Sequence, residues 1–140
     1  MTLPQTTPGT VHAFTLPARD GYPLAATLFQ AAGTPRGRII VAAATGVPQR
    51  FYRRFAEHAQ QAGFSVLTLD YRGIGQSRPA SLRGFDMQYT DWGKLDLAAA
   101  VDAMADGPLP LYWVGHSYGG HALGMLPNHQ RVTAAYALGV

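Results

Sequence analysis

A serine between two glycines is the side chain of this sequence best suited to nucleophilic chemistry. The pattern Gly115-His116-Ser117-Tyr118-Gly119 follows a short apolar run and precedes a segment rich in alanine, leucine and methionine. A G-x-S-x-G pattern at a strand-to-helix turn is typical of a nucleophile elbow, which lifts the serine hydroxyl above the sheet. We therefore predict that Ser117 is a nucleophile with positive φ. The Tyr118 N–H, at the start of the helix, is the predicted oxyanion donor.

The flanking glycines have a structural reason in this interpretation. Without side chains, Gly115 and Gly119 let neighbouring backbone pass close to the turn. The alternative interpretation is an ordinary glycine-rich turn between a strand and a helix, or a phosphate-binding loop. The chain contains no G-x-x-x-x-G-K-S/T sequence, which excludes a P-loop.

Alternating strand and helix patterns predict the elements that position this turn. Strands are predicted at 10–16, 24–30, 38–44, 64–70, 111–114 and 131–138. Three helices are predicted: the first runs from residue 52 to the glycine at 63, the second begins after a cap at Thr90 or Asp91, and the third covers 118–125. This order predicts an α/β fold: a mainly parallel sheet with helices on both faces and an antiparallel N-terminal strand. Residues 1–9 are predicted to be a tail. Residues 10–140 are predicted to be the N-terminal portion of one domain, because a parallel sheet continues through crossover helices.

Composition narrows the class of protein. The sequence is 47% hydrophobic and 14% charged, which is typical of a globular domain. It has no cysteine, and its histidines match neither H-x-x-x-H nor H-E-x-x-H, so we expect no metal and no cofactor. The net charge of +3 comes from scattered arginines, so no nucleic-acid partner is expected. No signal peptide or membrane span is recognisable, and a cytoplasmic location is the expectation.

Three segments together resemble the alpha/beta-hydrolase superfamily. Residues 38–48 resemble its strand and oxyanion loop, residues 69–77 its D-x-R-G-x-G-x-S turn, and residues 115–120 its elbow. The branch that the chain is most similar to contains serine aminopeptidases and monoglyceride lipases. The resemblance covers residues 10–140.

The resemblance implies a serine hydrolase that acts on a small acyl substrate. Ser117 would attack an ester, thioester or amide carbonyl, and the amides of Tyr118 and Val47 would hold the oxyanion. The family often has His-Gly where this chain has Thr45-Gly46.

The triad acid and histidine implied by the resemblance are missing from this chain. In this fold both follow the serine, yet no Asp or Glu follows Ser117. His121 and His129 do follow it, and we interpret them as a helix residue and an exposed turn residue. Asp70 is interpreted as a loop organiser. The remaining carboxylates considered are predicted to be loop, cap or helix-surface residues: Asp86, Asp91, Asp96, Asp102 and Asp106.

Two main functions remain open at this point, beside a different chemistry on the same fold, such as that of a lyase or a peroxidase. One is a serine hydrolase whose nucleophile and oxyanion elements this chain supplies, although the chain alone is expected to be inactive. The alternative is a catalytically inactive hydrolase relative that acts as a binding or interaction module. In both cases the last strand, with a single charge at Arg131, is expected to favour self-association through its exposed edge.

Overall fold

A six-stranded β-sheet forms the centre of the protein, and the computed structural model describes residues 3–139. The strands are β1 (Val11–Pro17), β2 (Pro23–Phe29), β3 (Gly37–Ala42), β4 (Phe64–Leu69), β5 (Leu111–His116) and β6 (Ala134–Leu138). Their order in the sheet is β1-β2-β4-β3-β5-β6. β2 is antiparallel to both of its neighbours, whereas β4, β3, β5 and β6 are mutually parallel. The predicted α/β class is confirmed.

Helices connect the parallel strands. They are α1 (Arg53–Gln61), α2 (Ala98–Met104) and α3 (Tyr118–Ala122). A 3-10 turn at Gln49–Tyr52 leads into α1, a π-helical segment at Trp92–Leu97 leads into α2, and a 3-10 turn at Leu123–Met125 follows α3. Further 3-10 turns lie at Gly75–Ser77 and His129–Arg131. Within residues 3–139, no helix is long and apolar enough to span a membrane.

Both faces of the sheet are apolar. Successive side chains along a strand point to opposite faces, and here apolar residues occupy both sets of positions. On β3, Ile39 faces α1 and packs with Ala56 and Ala59, whereas Ile40 faces α2 and α3 and packs with Trp113 and Val101. The continuous apolar run of β3 is therefore the signature of a strand buried on both sides. This packing holds the carboxyl ends of β3 and β5 next to each other.

Three details differ from the sequence prediction. The second helix has no side-chain cap; instead the Asp91 carboxylate accepts the Gln88 N–H at 2.8 Å. The last strand begins at Ala134 and not at Arg131, because Arg131 is the last residue of the 3-10 turn at His129–Arg131. Asp96, predicted to lie at a helix surface, is fully buried. Met1, Thr2 and Val140, which the predicted tail and domain include, lie outside the described residues.

Candidate active site

The turn between β5 and α3 holds Ser117 in an uncommon backbone conformation. Its φ is 52° and its ψ is −111°, and within residues 3–139 it is the single non-glycine residue with positive φ. Neighbouring backbone holds it there: its N–H donates to the Leu138 carbonyl at 2.8 Å, and its carbonyl accepts the Gly120 N–H at 3.0 Å. Such strain costs of order 1–3 kcal/mol and persists where the surroundings fix it. The conformational prediction is confirmed, whereas the catalytic role of Ser117 remains a prediction.

The flanking glycines are required by close backbone contacts. A Cβ on Gly119 would lie 1.9 Å from the Ala42 carbonyl oxygen, and one on Gly115 would lie 2.6 Å from the Gly120 nitrogen. The Trp113 indole also donates to the Gly119 carbonyl at 2.8 Å. These contacts confirm the predicted reason for both glycines.

The two predicted oxyanion donors differ in whether their N–H already has a hydrogen-bond acceptor. The Tyr118 N–H, at the first position of α3, has no acceptor among residues 3–139, so it is free to bind an oxyanion. The Val47 N–H donates to the Ala44 carbonyl at 3.2 Å across a turn in which Gly46 has a φ of 72°. An oxyanion would have to replace that carbonyl, which differs from the expectation of a free donor.

His116, which precedes the serine, is engaged with the segment that leads into α1. Its Nδ1 lies 2.8 Å from the Tyr52 hydroxyl, which also accepts the Ala44 N–H at 2.9 Å. Either atom can be the donor in the bond between the hydroxyl and Nδ1. We expect the hydroxyl to donate its proton to Nδ1, which would leave the imidazole proton on Nε2. The ring also stacks on Phe51. His116 therefore packs beside the elbow, with its Nδ1 hydrogen-bonded to Tyr52 and not to Ser117.

Asp70 organises the loops below the elbow. Its buried carboxylate accepts the N–H of Gln49 at 2.7 Å and that of Gln76 at 3.0 Å. A Cβ on Gly75 would lie 2.6 Å from an Asp70 oxygen, so the glycine there is required. These contacts support the interpretation of Asp70 as a loop organiser.

Arg72 forms a buried ion pair that explains why Asp96 is inside the protein. The Asp96 carboxylate accepts from the Arg72 backbone N–H at 2.8 Å and from its guanidinium at 2.7 and 2.9 Å. Asp20 binds the other side of the same guanidinium, at 2.7 and 2.8 Å. The Trp92 indole donates to the Arg72 carbonyl. A buried carboxylate needs such a partner, and the D-x-R-G turn supplies it.

No general base contacts the candidate nucleophile. In the part of the chain that the structure describes, no histidine, aspartate or glutamate side chain hydrogen-bonds to Ser117. His129 is exposed, in agreement with its interpretation as an exposed turn residue, and His121 is exposed on α3. Within residues 3–139, no three His, Asp or Glu side chains are grouped to bind a metal ion.

Comparison with known proteins assigns the family. Residues 33–138 match the family model described as serine aminopeptidase, S33. This chain belongs to the serine aminopeptidase S33 family. The sequence segments on which the resemblance rested, residues 38–48, 69–77 and 115–120, lie within the matched range. Among curated proteins no significant match was found.

Solved structures with the same architecture are alpha/beta hydrolases. The alpha/beta hydrolase GrgF from Penicillium sp. sh18 superposes with a TM-score of 0.75 at 25% identity, over 91% of this chain and 45% of its own. A thermostable carboxyl esterase from Bacillus coagulans gives 0.73 at 21% identity, over 93% and 44%. A monoglyceride lipase from Saccharomyces cerevisiae gives 0.73 at 21%, over 95% and 44%. The chain thus spans less than half the length of these three structures.

The sequence did not predict the contacts of two residues of the site, Tyr52 and Tyr89. Tyr52 is the first residue of the first predicted helix, and nothing in the sequence indicates that its hydroxyl binds His116. Tyr89 lies in a segment without periodicity, and its hydroxyl contacts Thr45 on the loop after β3. A tyrosine at the start of an amphipathic helix is the one available hint, since its hydroxyl needs a partner when half-buried.

Proposed function

We propose that this chain carries the nucleophile and oxyanion elements of an acyl hydrolase acting on esters, thioesters or amides of small molecules. Ser117 is the proposed nucleophile. Its Oγ would attack the acyl carbonyl while its proton passes to solvent, and the charge that develops on the carbonyl oxygen would be held by the Tyr118 N–H. Collapse of this adduct would break the bond to the alcohol, thiol or amine and leave an acyl ester on Ser117, which water would then hydrolyse to the free acid and serine. The Val47 N–H would join as a second donor by exchanging the Ala44 carbonyl for the oxyanion. The observation that carries the proposal is the strained φ of Ser117 beside the free Tyr118 amide.

The physical argument is that strain of this kind has no packing benefit. A plain strand-to-helix turn can be made with ordinary dihedral angles or with glycine, whereas this one forces a serine into the positive-φ region. The result is a hydroxyl beside a helix amide that has no acceptor in the part of the chain that the structure describes. One donor of this kind is worth roughly 3–4 kcal/mol of barrier in acyl transfer.

We further propose that the acid and base of the triad are not supplied by residues 3–139. An unassisted serine hydroxyl is a weak nucleophile. The chain should therefore hydrolyse p-nitrophenyl acetate far more slowly than an ordinary esterase, with at most a residual rate about 10³–10⁴ above water.

The test is slow, site-specific acylation or phosphonylation. The chain is incubated with excess p-nitrophenyl acetate or a fluorophosphonate probe, and the modified residue is located by peptide mass spectrometry. We expect modification at Ser117, lost in Ser117→Ala and retained in Ser81→Ala, which removes an exposed loop serine. Modification spread evenly over exposed serines would contradict the proposal and favour the alternative of an inactive binding module. Turnover at ordinary esterase rates that is abolished by Ser117→Ala would contradict the proposal that residues 3–139 supply no general base.

A further inference from the structure

Tyr89 contacts both segments to which the proposed function assigns oxyanion binding. Its hydroxyl shares a 2.5 Å hydrogen bond with Oγ1 of Thr45, two residues before Val47. Its ring packs edge-on against the Tyr118 ring, with centroids 4.5 Å apart. Its carbonyl accepts a hydrogen bond from the Tyr118 hydroxyl at 2.7 Å. Within residues 3–139, no direct hydrogen bond joins Thr45 or Val47 to Tyr118. Tyr89 connects them through Thr45, whereas Tyr71, which also packs against Tyr118, reaches only the Ala43 carbonyl.

The backbone that carries Tyr89 is itself well supported. The Trp92 ring lies 5.3 Å from that of Tyr89 and 5.4 Å from that of Tyr118, and it stacks on buried Tyr71. Burial raises the pKa of the Tyr118 phenol to about 12, so its hydroxyl remains a neutral donor to the Tyr89 carbonyl at neutral pH. The aromatic cluster therefore offers a rigid support from which the Tyr89 hydroxyl reaches the turn after β3.

The Tyr89 hydroxyl contributes little to the packing of the hydrophobic core. The side chain is 52% exposed, and the contact of its hydroxyl is with exposed Thr45. A hydrogen bond between two exposed groups adds little stability, but it can restrict how a turn moves. The turn in question is the one in which the Val47 N–H is bonded to the Ala44 carbonyl.

We propose that Tyr89 is a positioning residue that fixes the turn 44–47 relative to Tyr118, and so sets the position of the Val47 N–H. The inference rests on the proposed function, because it concerns the same acyl-transfer site. Tyr89 acts through Thr45 and needs no contact with the substrate. Loss of its hydroxyl should loosen the turn and leave the fold intact.

The experiment measures amide hydrogen exchange by NMR in the full chain. The variants are Tyr89→Phe, Thr45→Val and the double variant. Tyr136→Phe is the control, because its exposed hydroxyl has no hydrogen-bond partner among residues 3–139. We expect exchange at Val47 to accelerate about twofold to tenfold in each single variant, the range that loss of one hydrogen bond gives. The double variant should exchange no faster than the single ones, and the control should match the unchanged chain.

Unchanged exchange at Val47 in Tyr89→Phe would overturn the proposal, as would effects that multiply in the double variant. A second readout is the rate of Ser117 modification by p-nitrophenyl acetate, which should fall in Tyr89→Phe without a change in half-saturating concentration. If Ser117→Ala reacts like the unchanged chain, the proposed function fails. The exchange rates at Val47 still support or overturn the positioning role of Tyr89 in that case.

Discussion

Gly119 lies so close to Ala42 that a side chain at position 119 would collide with the backbone of β3. A Cβ there would lie 1.9 Å from the Ala42 carbonyl oxygen and 2.8 Å from the Ala42 Cβ. The first turn of α3 therefore packs directly on the end of β3, where the proposed oxyanion loop begins. The glycine thus sets the distance between the two segments of the proposed site.

Gly119→Ala should destabilise the protein because backbone cannot move aside as a flexible side chain can. We expect the free energy of unfolding to fall by about 3 kcal/mol, at the upper end for overpacked sites. Urea denaturation followed by circular dichroism measures it. Gly124→Ala is the matched control, since nothing lies within 4 Å of a Cβ there, and it should change stability by less than about 1 kcal/mol. Equal effects of the two variants would contradict the contact.

Asp96→Asn tests the buried ion pair with Arg72. Removing the charge leaves the guanidinium with Asp20 alone, and breaking a buried pair typically costs about 3 kcal/mol or more. Asp86→Asn is the control because Asp86 is exposed and should give a change within about 0.5 kcal/mol. The two values come from urea denaturation at neutral pH. A stability of Asp96→Asn equal to that of the unchanged chain would show that the pair contributes nothing net.

The element types followed from the sequence because periodicity reports burial directly. The apolar run of β3 and the two-faced pattern of α1 correspond to observed packing on both sides of the sheet. The buried position of Asp96 did not follow, since a carboxylate ahead of an apolar helix is usually a cap or surface group. Its partner, Arg72, lies in a separate turn. Sequence spacing gives no distance between such segments, nor the order of strands in the sheet.

For the candidate site too, the sequence predicted the local backbone features but not the contacts between separate segments. Ser117 and its glycines were recognisable because strain and close approach restrict residue type locally. The bond from the Val47 N–H to Ala44 was not, because whether a turn closes on itself depends on loop geometry rather than on residue type. The role of Tyr89 depends on a tertiary contact with Thr45.

Tyr52→Phe should destabilise the protein and change the protonation site of His116. The Ala44 N–H and His116 Nδ1 would both lose the hydroxyl, and an unsatisfied buried donor costs about 1–3 kcal/mol. Nitrogen-15 NMR of the imidazole should show the Nε2–H form in the unchanged chain and a mixture in the variant. Tyr112→Phe, whose hydroxyl has no partner within residues 3–139, should change neither property. The same tautomer in both chains would contradict the proposed donor direction.

Tyr136→Lys should reduce self-association of the chain. The edge of β6 is unpaired in the described part, Tyr136 is 66% exposed, and it borders an apolar depression of about 670 Å³ with Phe51 and Leu138. Charge on such an edge opposes pairing with a second copy. Light scattering should show a mass that rises with concentration for the unchanged chain and less so for the variant. Leu82→Lys, at an exposed apolar residue elsewhere, is the control. A constant monomer mass for the unchanged chain would exclude self-association.

Ser117→Gly should stabilise the fold while removing the proposed nucleophile. Glycine adopts a φ of 52° without the steric cost that serine meets, of order 1–3 kcal/mol, and loses only about 0.5–1 kcal/mol through its freer unfolded chain. We therefore expect a net gain of about 1 kcal/mol in the free energy of unfolding, measured with urea. Ser117→Ala is the matched control: it removes the same hydroxyl but keeps the Cβ, so the strain remains and no comparable gain should appear. Both variants should lose modification by p-nitrophenyl acetate. If alanine and glycine give the same stability, Ser117 is not strained, and the principal argument for its selection as a nucleophile is lost.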